Sequence, residues 1–155
     1  MKKAYITGIS GFAGSFLAEH LLKKGYVVGG SFISDHNINI DHIKHDLELY
    51  KVNLLDKAEV EKSIQKFSPD IIFHLAALTS PAESFKEPSK VFTNNISAQI
   101  NLFESVRNSN MSPRILITSS AEVYGLILEK DLPISEKTDL RPGSPYAVSK
   151  IAQDY

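Results

Sequence analysis

Two polar residues near the carboxyl end of the chain have the types and the spacing for proton transfer. Tyr146 and Lys150 are four residues apart in the stretch YAVSK, so their side chains share one face of a helix. A free phenol has a pKa near ~10 and is a poor base at neutral pH, whereas an adjacent ammonium favours the phenolate. The pair could therefore act as a general acid and base, and the same spacing also occurs on ordinary helix surfaces.

Three glycines near the start of the chain predict a site for a phosphate. Gly8, Gly11 and Gly14 stand three apart in TGISGFAG, after the apolar run AYI and before a helical pattern. Gly8 permits a sharp turn, Gly11 lets a pyrophosphate approach the backbone closely, and Gly14 lets the helix pack tightly on the sheet. The first-turn amides and the helix dipole attract an anion. The alternative is an ordinary glycine-rich turn between a strand and a helix.

Strands and helices alternate along the chain, and this order must position both features. Most of the predicted strands are continuous apolar runs, which favour a parallel sheet covered by helices on both faces. The strands are expected within 2–7, 26–33, 47–55, 69–78 and 113–120, and the helices within 12–25, 57–67, 88–109 and from 144 onward. The polar stretch 126–145 is expected to be a long loop, which in a compact domain is usually functional or mobile.

Apolar spacing also predicts which helix faces are buried. In the first helix Phe16, Leu17 and Leu21 belong to the apolar pattern. In the helix 88–109 one apolar face is expected to cover the sheet. Its members are Phe92, Ile96, Ile100, Phe103 and Val106, and the further apolar positions Val91 and Leu102 widen the stripe.

Composition excludes several classes of function. The chain has 155 residues, with 17 basic and 18 acidic residues and a net charge of −1, so no basic excess favours nucleic-acid binding. The absence of cysteine excludes disulfides and thiolate chemistry. The five histidines form no convincing metal site. No apolar stretch is long enough to cross a bilayer, and a cytoplasmic protein without a membrane partner is expected.

Three further stretches follow the glycine loop in order: HLAA at 74–77, SSAEVYG at 119–125 and YAVSK at 146–150. Together with TGxxGFxG, this set resembles the extended short-chain dehydrogenase/reductase family of nucleotide-sugar epimerases, dehydratases and reductases. The stretch AALTSPAESF, with Thr79, Ser84 and Phe85, is similar to the branch of GDP-mannose 4,6-dehydratases and GDP-4-keto-6-deoxymannose reductases. The resemblance implies an α/β fold, a Rossmann-type doubly wound parallel sheet, with NAD(P) across the carboxyl ends of the strands.

The resemblance also implies a set of cofactor-binding residues. The glycine loop would cradle the pyrophosphate, the end of the fourth strand would pass under the dinucleotide, and Asn53-Leu54 would lie near the adenine. The family usually has an aspartate at the place of Asn53; an amide can still bond the adenine edge, and an ordinary strand-end Asn is the alternative. The implied residues are Gly8, Ser10, Gly11, Phe12, Ala13, Gly14, Asn53, Leu54, Leu75, Ala76, Ala77, Thr79, Tyr146 and Lys150.

Four residues are implied as catalytic: Ser120, Glu122, Tyr146 and Lys150. Tyr146 would exchange the proton of a sugar hydroxyl while a hydride moves between sugar C4 and the cofactor. Lys150 would hold the nicotinamide ribose, and the Ser120 hydroxyl would steady the substrate oxygen. Glu122 fills the position of the base in the dehydratases, and its alternative is a solvated surface acid. Ala121 stands where those enzymes carry a proton-donating residue, which favours a 4-keto-sugar reductase or a 4-epimerase over a 4,6-dehydratase.

The end of the second strand bears on the choice of dinucleotide. An acid there bonds the 2′-hydroxyl of NAD, but the family spacing points to Phe32 and the general spacing to Asp35. Ser31, Ser34 and His36 could contact a 2′-phosphate. The expected cofactor is NADP, with NAD as the alternative.

The resemblance implies a nucleotide-sugar substrate and a homodimer formed through the 88–108 helix region, with core burial of that helix as the alternative. The chain stops within the helix that carries Tyr146 and Lys150. Residues 1–155 are therefore expected to be an incomplete Rossmann domain that lacks the substrate region and is itself inactive. A non-catalytic dinucleotide-binding module is the other hypothesis.

Overall fold

The computed structural model describes residues 1–34 and 38–155, and these contain one five-stranded parallel sheet. The strand order is β3-β2-β1-β4-β5, so the chain crosses from one side of β1 to the other between β3 and β4. This confirms the predicted α/β class and the five predicted strands. The strands are β1 (Lys3–Thr7), β2 (Val27–Phe32), β3 (Leu47–Lys51), β4 (Ile71–His74) and β5 (Arg114–Ile117).

Five α-helices connect or follow these strands: α1 (Phe12–Lys23), α2 (Lys57–Phe67), α3 (Pro81–Lys86), α4 (Pro88–Asn108) and α5 (Pro145–Asp154). The short helix α3 was not predicted, although it has an ordinary start signal: Ser80 accepts a hydrogen bond from the Glu83 amide, and Pro81 is the first helical residue. The stretch 126–145 is mostly irregular and contains one short 3-10 helix, Glu129–Asp131. Within the described ranges, none of the helices has the length and apolar character that a bilayer-crossing segment needs.

The chain divides into two compact units. Unit 1 comprises Met1–Ala77 and Ser97–Thr118, and unit 2 comprises Leu78–Ile96 and Ser119–Tyr155. Unit 1 contains the sheet and a core on each of its faces, because neighbouring side chains of β1 point to opposite sides. Ile6 packs with Ala18 of α1 on one face, and Tyr5 packs with Ile64 of α2 and Leu102 of α4 on the other.

The apolar face predicted for α4 is wrong at two of its members. Ile100 is 53% exposed and Phe103 is 42% exposed, whereas Leu102 is fully buried against the sheet in unit 1. The buried stripe also contains polar residues, and Ser105 fits there because its hydroxyl donates to the Asn101 carbonyl at 2.7 Å. The predicted position Leu102 is thus confirmed, whereas apolarity could not identify Ser105, because a short polar side chain that bonds its own helix can face a core.

A similar correction applies to α1. Phe16 is 62% exposed, and its ring lies 5.1 Å from that of the exposed Phe12. The buried side of α1 is made instead by smaller residues, Gly14, Ser15 and Ala18, together with Leu21. Small residues are buried here because they allow the helix to approach the sheet closely.

Candidate active site

The glycine loop of unit 1 follows β1 and is held by main-chain bonds. Gly8 has a φ of +72°, a conformation that glycine adopts at little cost. The amides of Gly8 and Ile9 both donate to the Ser31 carbonyl of β2, at 2.9 and 3.1 Å. A Cβ on Gly8 would lie 3.2 Å from the Cα of Ala76. The loop therefore lies in contact with the segment after β4.

The start of α1 packs against the same loop. A Cβ on Gly14 would come within 2.3 Å of the Gly8 carbonyl oxygen, which leaves room for glycine only. Gly11 is the N-cap residue; it provides no side-chain capping hydrogen bond, and the first turn has no acidic residue. Its own amide donates to the Gly8 carbonyl at 3.0 Å. The amide end of α1 thus carries no competing anion or cap, and its residues fit a bound pyrophosphate.

Thr7 fixes the exit of β4 through one hydroxyl group. Its Oγ1 accepts hydrogen bonds from the amides of Leu75 and Ala76, both at 3.1 Å, and lies 2.8 Å from Nδ1 of His74. Since both lone pairs of the oxygen are used, the hydroxyl proton points to Nδ1, and the network assigns the ring proton of a neutral His74 to Nε2. Thr7 was not among the predicted site residues. Its position directly before the first glycine of the loop is the sequence signal that could have identified it.

The remaining predicted cofactor residues of unit 1 lie in turns. The Asn53 side-chain oxygen accepts a hydrogen bond from the Leu55 amide at 3.1 Å. Such a local turn is what an ordinary asparagine at a strand end forms, which is the alternative to a role in adenine binding. The Leu54 carbonyl accepts from the Asn101 side chain at 2.9 Å. Neither contact tests a role in binding adenine.

The residues that bear on the choice of dinucleotide are only partly described. Asp35 and His36 lie outside the described residues. Phe32 ends β2 and is half-buried, Ser31 is buried, and Ser34 is exposed. The Asn39 side chain donates to the Ser10 carbonyl at 2.9 Å and so ties the glycine loop to the segment that follows β2.

Helix α5 of unit 2 carries the predicted acid–base pair. Ser144 caps it by accepting a hydrogen bond from the Ala147 amide at 3.1 Å, and Pro145 occupies the first turn. Tyr146 is 7% exposed and Lys150 is 4% exposed. The predicted helix is confirmed, and both side chains are buried rather than spread on a solvated surface.

Lys150 is an ammonium in an unfavourable environment. Burial lowers its pKa from the ordinary value, and the charge of Asp154 on the same helix partly opposes this effect. Its Nζ donates to Oε1 of Gln153 at 2.8 Å. A buried lysine with a lowered pKa is a feature more typical of a functional site than of a structural core.

A buried asparagine in α4 connects the surroundings of Lys150, and sequence reasoning did not find it. Asn95 is fully buried, and its side chain accepts from the Leu78 amide at 2.8 Å and donates to the Leu78 carbonyl at 3.1 Å. It also donates to the Ser149 hydroxyl at 3.0 Å. A polar residue on the inward side of a helix is the signal that could have identified it.

Ser120 and Glu122 lie at the 3-10 helix Ala121–Tyr124, which packs against α5. Ser120 is half-buried and accepts a hydrogen bond from the Glu122 amide at 3.2 Å, so its hydroxyl proton remains to be donated elsewhere. Glu122 and Ala121 are exposed, and the exposure of Glu122 matches its alternative interpretation as a surface acid.

The three residues that are similar to the dehydratase and reductase branch lie after β4 and differ in their exposure. Thr79 is exposed, Ser84 is buried with its hydroxyl donating to the Pro81 carbonyl at 2.6 Å, and Phe85 is 64% exposed. Ser84 therefore has a structural role in α3. In the part of the chain that the structure describes, no three His, Cys, Asp or Glu residues form a group that could hold a metal ion.

Sequence comparison identifies relatives of this chain. The family profile described as GDP-mannose 4,6 dehydratase matches residues 5–155. A GDP-mannose 4,6-dehydratase of Yersinia enterocolitica serotype O:8 / biotype 1B is 37% identical over 163 aligned positions, which include 97% of this chain and 43% of the relative. The chain thus spans less than half the length of the curated relative that it matches.

Solved structures agree with the fold. A UDP-glucose 4-epimerase of Thermus thermophilus in complex with NAD has a TM-score of 0.88 and 29% identity, over 98% of this chain and 48% of the epimerase. A UDP-glucose 4-epimerase of Bifidobacterium longum in complex with NAD+ and UDP has a TM-score of 0.88 and 28% identity, over 99% of this chain and 47% of the other.

Proposed function

We propose that this chain provides the cofactor-binding and acid–base residues of an NAD(P)-dependent enzyme that acts on a nucleotide sugar. The premise is its family: the chain belongs to the GDP-mannose 4,6-dehydratase family within the extended short-chain dehydrogenase/reductases. The observation that carries this proposal is the burial of Tyr146 and Lys150 on one helix. Burying an ammonium is unfavourable, and such burial is common where a lysine has a catalytic role.

Each unit carries its own group of the proposed residues. In unit 1, the amide end of α1 would bind the pyrophosphate, with Gly8 and Gly14 allowing the backbone to approach it closely. The bound dinucleotide supplies a nicotinamide that accepts or returns a hydride. In unit 2, Lys150 would donate hydrogen bonds to the nicotinamide ribose, while the Tyr146 and Ser120 hydroxyls would bond the sugar oxygen at C4.

Proton transfer at Tyr146 balances the hydride transfer. When the C4 carbinol is oxidised to a ketone, the C4 hydride leaves with its electron pair and the hydroxyl proton passes to the Tyr146 phenolate. Reduction of a 4-ketone reverses both transfers, and Tyr146 then donates its phenolic proton. Positioned general acid–base groups typically contribute about 10²–10⁴-fold to a rate.

Within this chemistry we favour a 4-keto-sugar reductase or a 4-epimerase. Dehydration across C5 and C6 needs a proton donor as well as a base, and Ala121 has no exchangeable proton on its side chain. A 4,6-dehydratase is the second candidate, because the family profile and the Yersinia relative carry that name. Turnover in D2O separates the two: dehydration followed by reduction introduces deuterium at C5, whereas epimerisation or reduction at C4 leaves the C5 proton in place.

The proposal extends to the cofactor and the assembly. We favour NADP over NAD because the described end of β2 has serines rather than an acid, and competitive titration with NADPH and NADH measures the preference. We also favour a homodimer through the 88–108 helix, since Ile100 and Phe103 on α4 are exposed apolar residues. Sedimentation of Phe103→Glu beside the wild type tests this, with a shift to monomer expected.

Replacement of Tyr146 by Phe tests the catalytic assignment in a protein of the relatives' full length. Loss of the hydroxyl should reduce turnover about 10²–10⁴-fold while leaving dinucleotide affinity close to that of the wild type. Tyr26→Phe removes a hydroxyl from a half-buried tyrosine that directly precedes β2 and serves as the matched control. Normal turnover in Tyr146→Phe would reject the assignment, and the non-catalytic module would then be the better account.

A further inference from the structure

Lys150 lies at one end of a continuous buried polar network, all of whose contacts are within unit 2. The Lys150 ammonium donates to Oε1 of Gln153 at 2.8 Å, and Nε2 of Gln153 donates to the main-chain carbonyl of Asn95 at 3.0 Å. Gln153 is 5% exposed, so both bonds are shielded from water. The amide therefore bridges α5 to α4.

The chemistry of the two ends fixes the orientation of the Gln153 amide. Lysine can only donate and a carbonyl oxygen can only accept, so Oε1 must face Lys150 and Nε2 must face Asn95. A flipped amide would oppose donor to donor and acceptor to acceptor. The three-residue separation of Lys150 and Gln153 places the two side chains on the same side of α5.

The far end of the bridge is itself held firmly. Asn95 bonds both the amide and the carbonyl of Leu78 and also donates to the Ser149 hydroxyl. Ser149 in turn donates to the Tyr146 carbonyl at 2.7 Å. The carbonyl that receives Gln153 is thus part of a buried polar network rather than a mobile surface group.

We propose that Gln153 is a positioning residue, whose amide holds the Lys150 ammonium in place by bridging it to the Asn95 main-chain carbonyl. A long lysine side chain has many rotamers, and a charge-assisted hydrogen bond to a fixed acceptor selects among them. The bridge also stabilises the charged form of a buried amine. The catalytic consequence rests on the proposed function of Lys150, whereas the bridge itself does not.

Other charged groups near α5 must be considered in any test. Asp154 on α5 raises the pKa of Lys150 against the effect of burial. The elements packed against α5 carry Glu83 and Lys86 on α3, which pair with each other at 3.1 Å, and Glu122 on the 3-10 helix. From α4, Asn95 contributes its uncharged main-chain carbonyl and its uncharged side-chain amide, which donates to the Ser149 hydroxyl. These groups stay unchanged when only position 153 is altered.

The test is an NMR titration of Lys150 in the 155-residue chain labelled with ¹³C-lysine. Gln153→Met keeps the length and removes both hydrogen bonds, so the pKa of Lys150 should fall below its wild-type value. Gln153→Glu keeps an acceptor for Lys150 and adds a negative charge, so the pKa should rise. Gln99→Met removes another buried glutamine, one that lies on α4, and should leave Lys150 unchanged.

A purely structural glutamine would give a different result. Gln153→Met would then change the melting temperature and leave the Lys150 titration where it is in the wild type, which would overturn the proposal. A measurement on the wild type covers the case in which a variant does not fold. The Gln153 side-chain amide protons should exchange slowly with water and show an NOE to the Lys150 ε-methylene, and rapid exchange without that NOE would also overturn it.

Failure of this inference is distinct from failure of the proposed function. Lys150→Met tests the latter, because it should weaken dinucleotide binding whether or not Gln153 positions the amine. If Gln153→Met moves the Lys150 pKa but Lys150→Met binds NADPH like the wild type, the bridge stands and the assigned role of Lys150 fails. In a protein of full length, Gln153→Met should also shift the pH profile of turnover, and Gln99→Met should not.

Discussion

Helices α1 and α5 both carry proposed functional groups in their first two turns, but their N-termini differ. Helix α1 starts at Gly11 without a side-chain cap, whereas the Ser144 hydroxyl caps α5. An uncapped amide end can offer its N–H groups to an anion, and a capped end has already satisfied part of that demand. In α1 the main chain carries the proposed chemistry, and in α5 the side chains one turn further along carry it.

The difference extends to what each region tolerates. The glycine loop depends on close main-chain contacts, such as the 2.3 Å that would separate a Cβ at Gly14 from the Gly8 oxygen. The α5 region depends instead on a buried polar network around Lys150. We therefore expect added volume to damage the first region and lost hydrogen-bonding groups to damage the second. The predictions below test this contrast, from the largest expected effect to the smallest.

Gly14→Ala should have the largest effect. The new methyl group would collide with main-chain atoms that cannot rotate away, and we expect a loss of more than about 3 kcal/mol in the free energy of unfolding. Urea denaturation measures the change. Gly143→Ala is the control, because a Cβ there meets nothing within 4 Å and should leave the midpoint almost unaltered. Equal midpoints for the two variants would contradict the close packing of the loop.

Thr7→Val should come next, since it removes a hydroxyl without changing the shape of the side chain. The amides of Leu75 and Ala76, which lie half-buried directly after β4, would lose their acceptor. The expected destabilisation is about 2 kcal/mol, and hydrogen exchange at these two amides should accelerate. Thr7→Ser retains the hydroxyl and should preserve slow exchange. A valine variant with wild-type exchange at both amides would show that the hydroxyl does not hold this segment.

Ser144→Ala should have an intermediate effect on α5. Removing the cap leaves the Ala147 amide without its side-chain acceptor, which typically costs about 1 kcal/mol. Thermal unfolding measures the loss, and Ser144→Asp, which restores a capping oxygen, should recover most of it. If Ser144→Ala melts at the wild-type temperature, the cap does not contribute to stability. The capped start of α5 would then not differ energetically from the uncapped start of α1.

Lys150→Met should have the smallest effect on stability and the opposite sign. Burial lowers the pKa of Lys150 in the folded chain. Between that folded pKa and the unfolded value of 10.5, the unfolded chain binds more protons, so wild-type stability rises with pH in this window. We expect Lys150→Met to be more stable at pH 7 by no more than about 1 kcal/mol. The advantage should shrink as the pH approaches 10.5, and an advantage independent of pH would contradict the assignment.

The sequence predicted the elements of this chain better than their faces. Apolar runs located all five strands, and a charged amphipathic pattern located the helix Lys57–Phe67, because these signals are local. The orientation of α4 could not be obtained in this way. Leu102 is buried while Phe103 is 42% exposed, although both are large and apolar. Which of two such neighbours faces the sheet depends on what lies opposite, and that is a tertiary property.

The candidate site was predicted unevenly for the same reason. Tyr146 and Lys150 could be predicted because their spacing on a helix is itself the signal. Asn95 and Gln153 could not, since Asn95 bonds Leu78, which is 17 residues away, and Gln153 bonds Asn95, which is 58 residues away on another helix. The predicted cofactor contacts and catalytic roles, including those of Tyr146 and Lys150, remain predictions.

The sequence by itself determined the alternation of strands and helices, the glycines that permit the turn after β1, and the four-residue spacing of the acid–base pair. Each of these depends on backbone geometry within a few residues. The tertiary structure alone decided that Lys150 is buried and that its amine is bridged through Gln153 to a carbonyl of α4. Burial and hydrogen bonding between distant segments are properties of the packed chain, because a polar group exchanges water for a protein partner only when folding brings the two segments together.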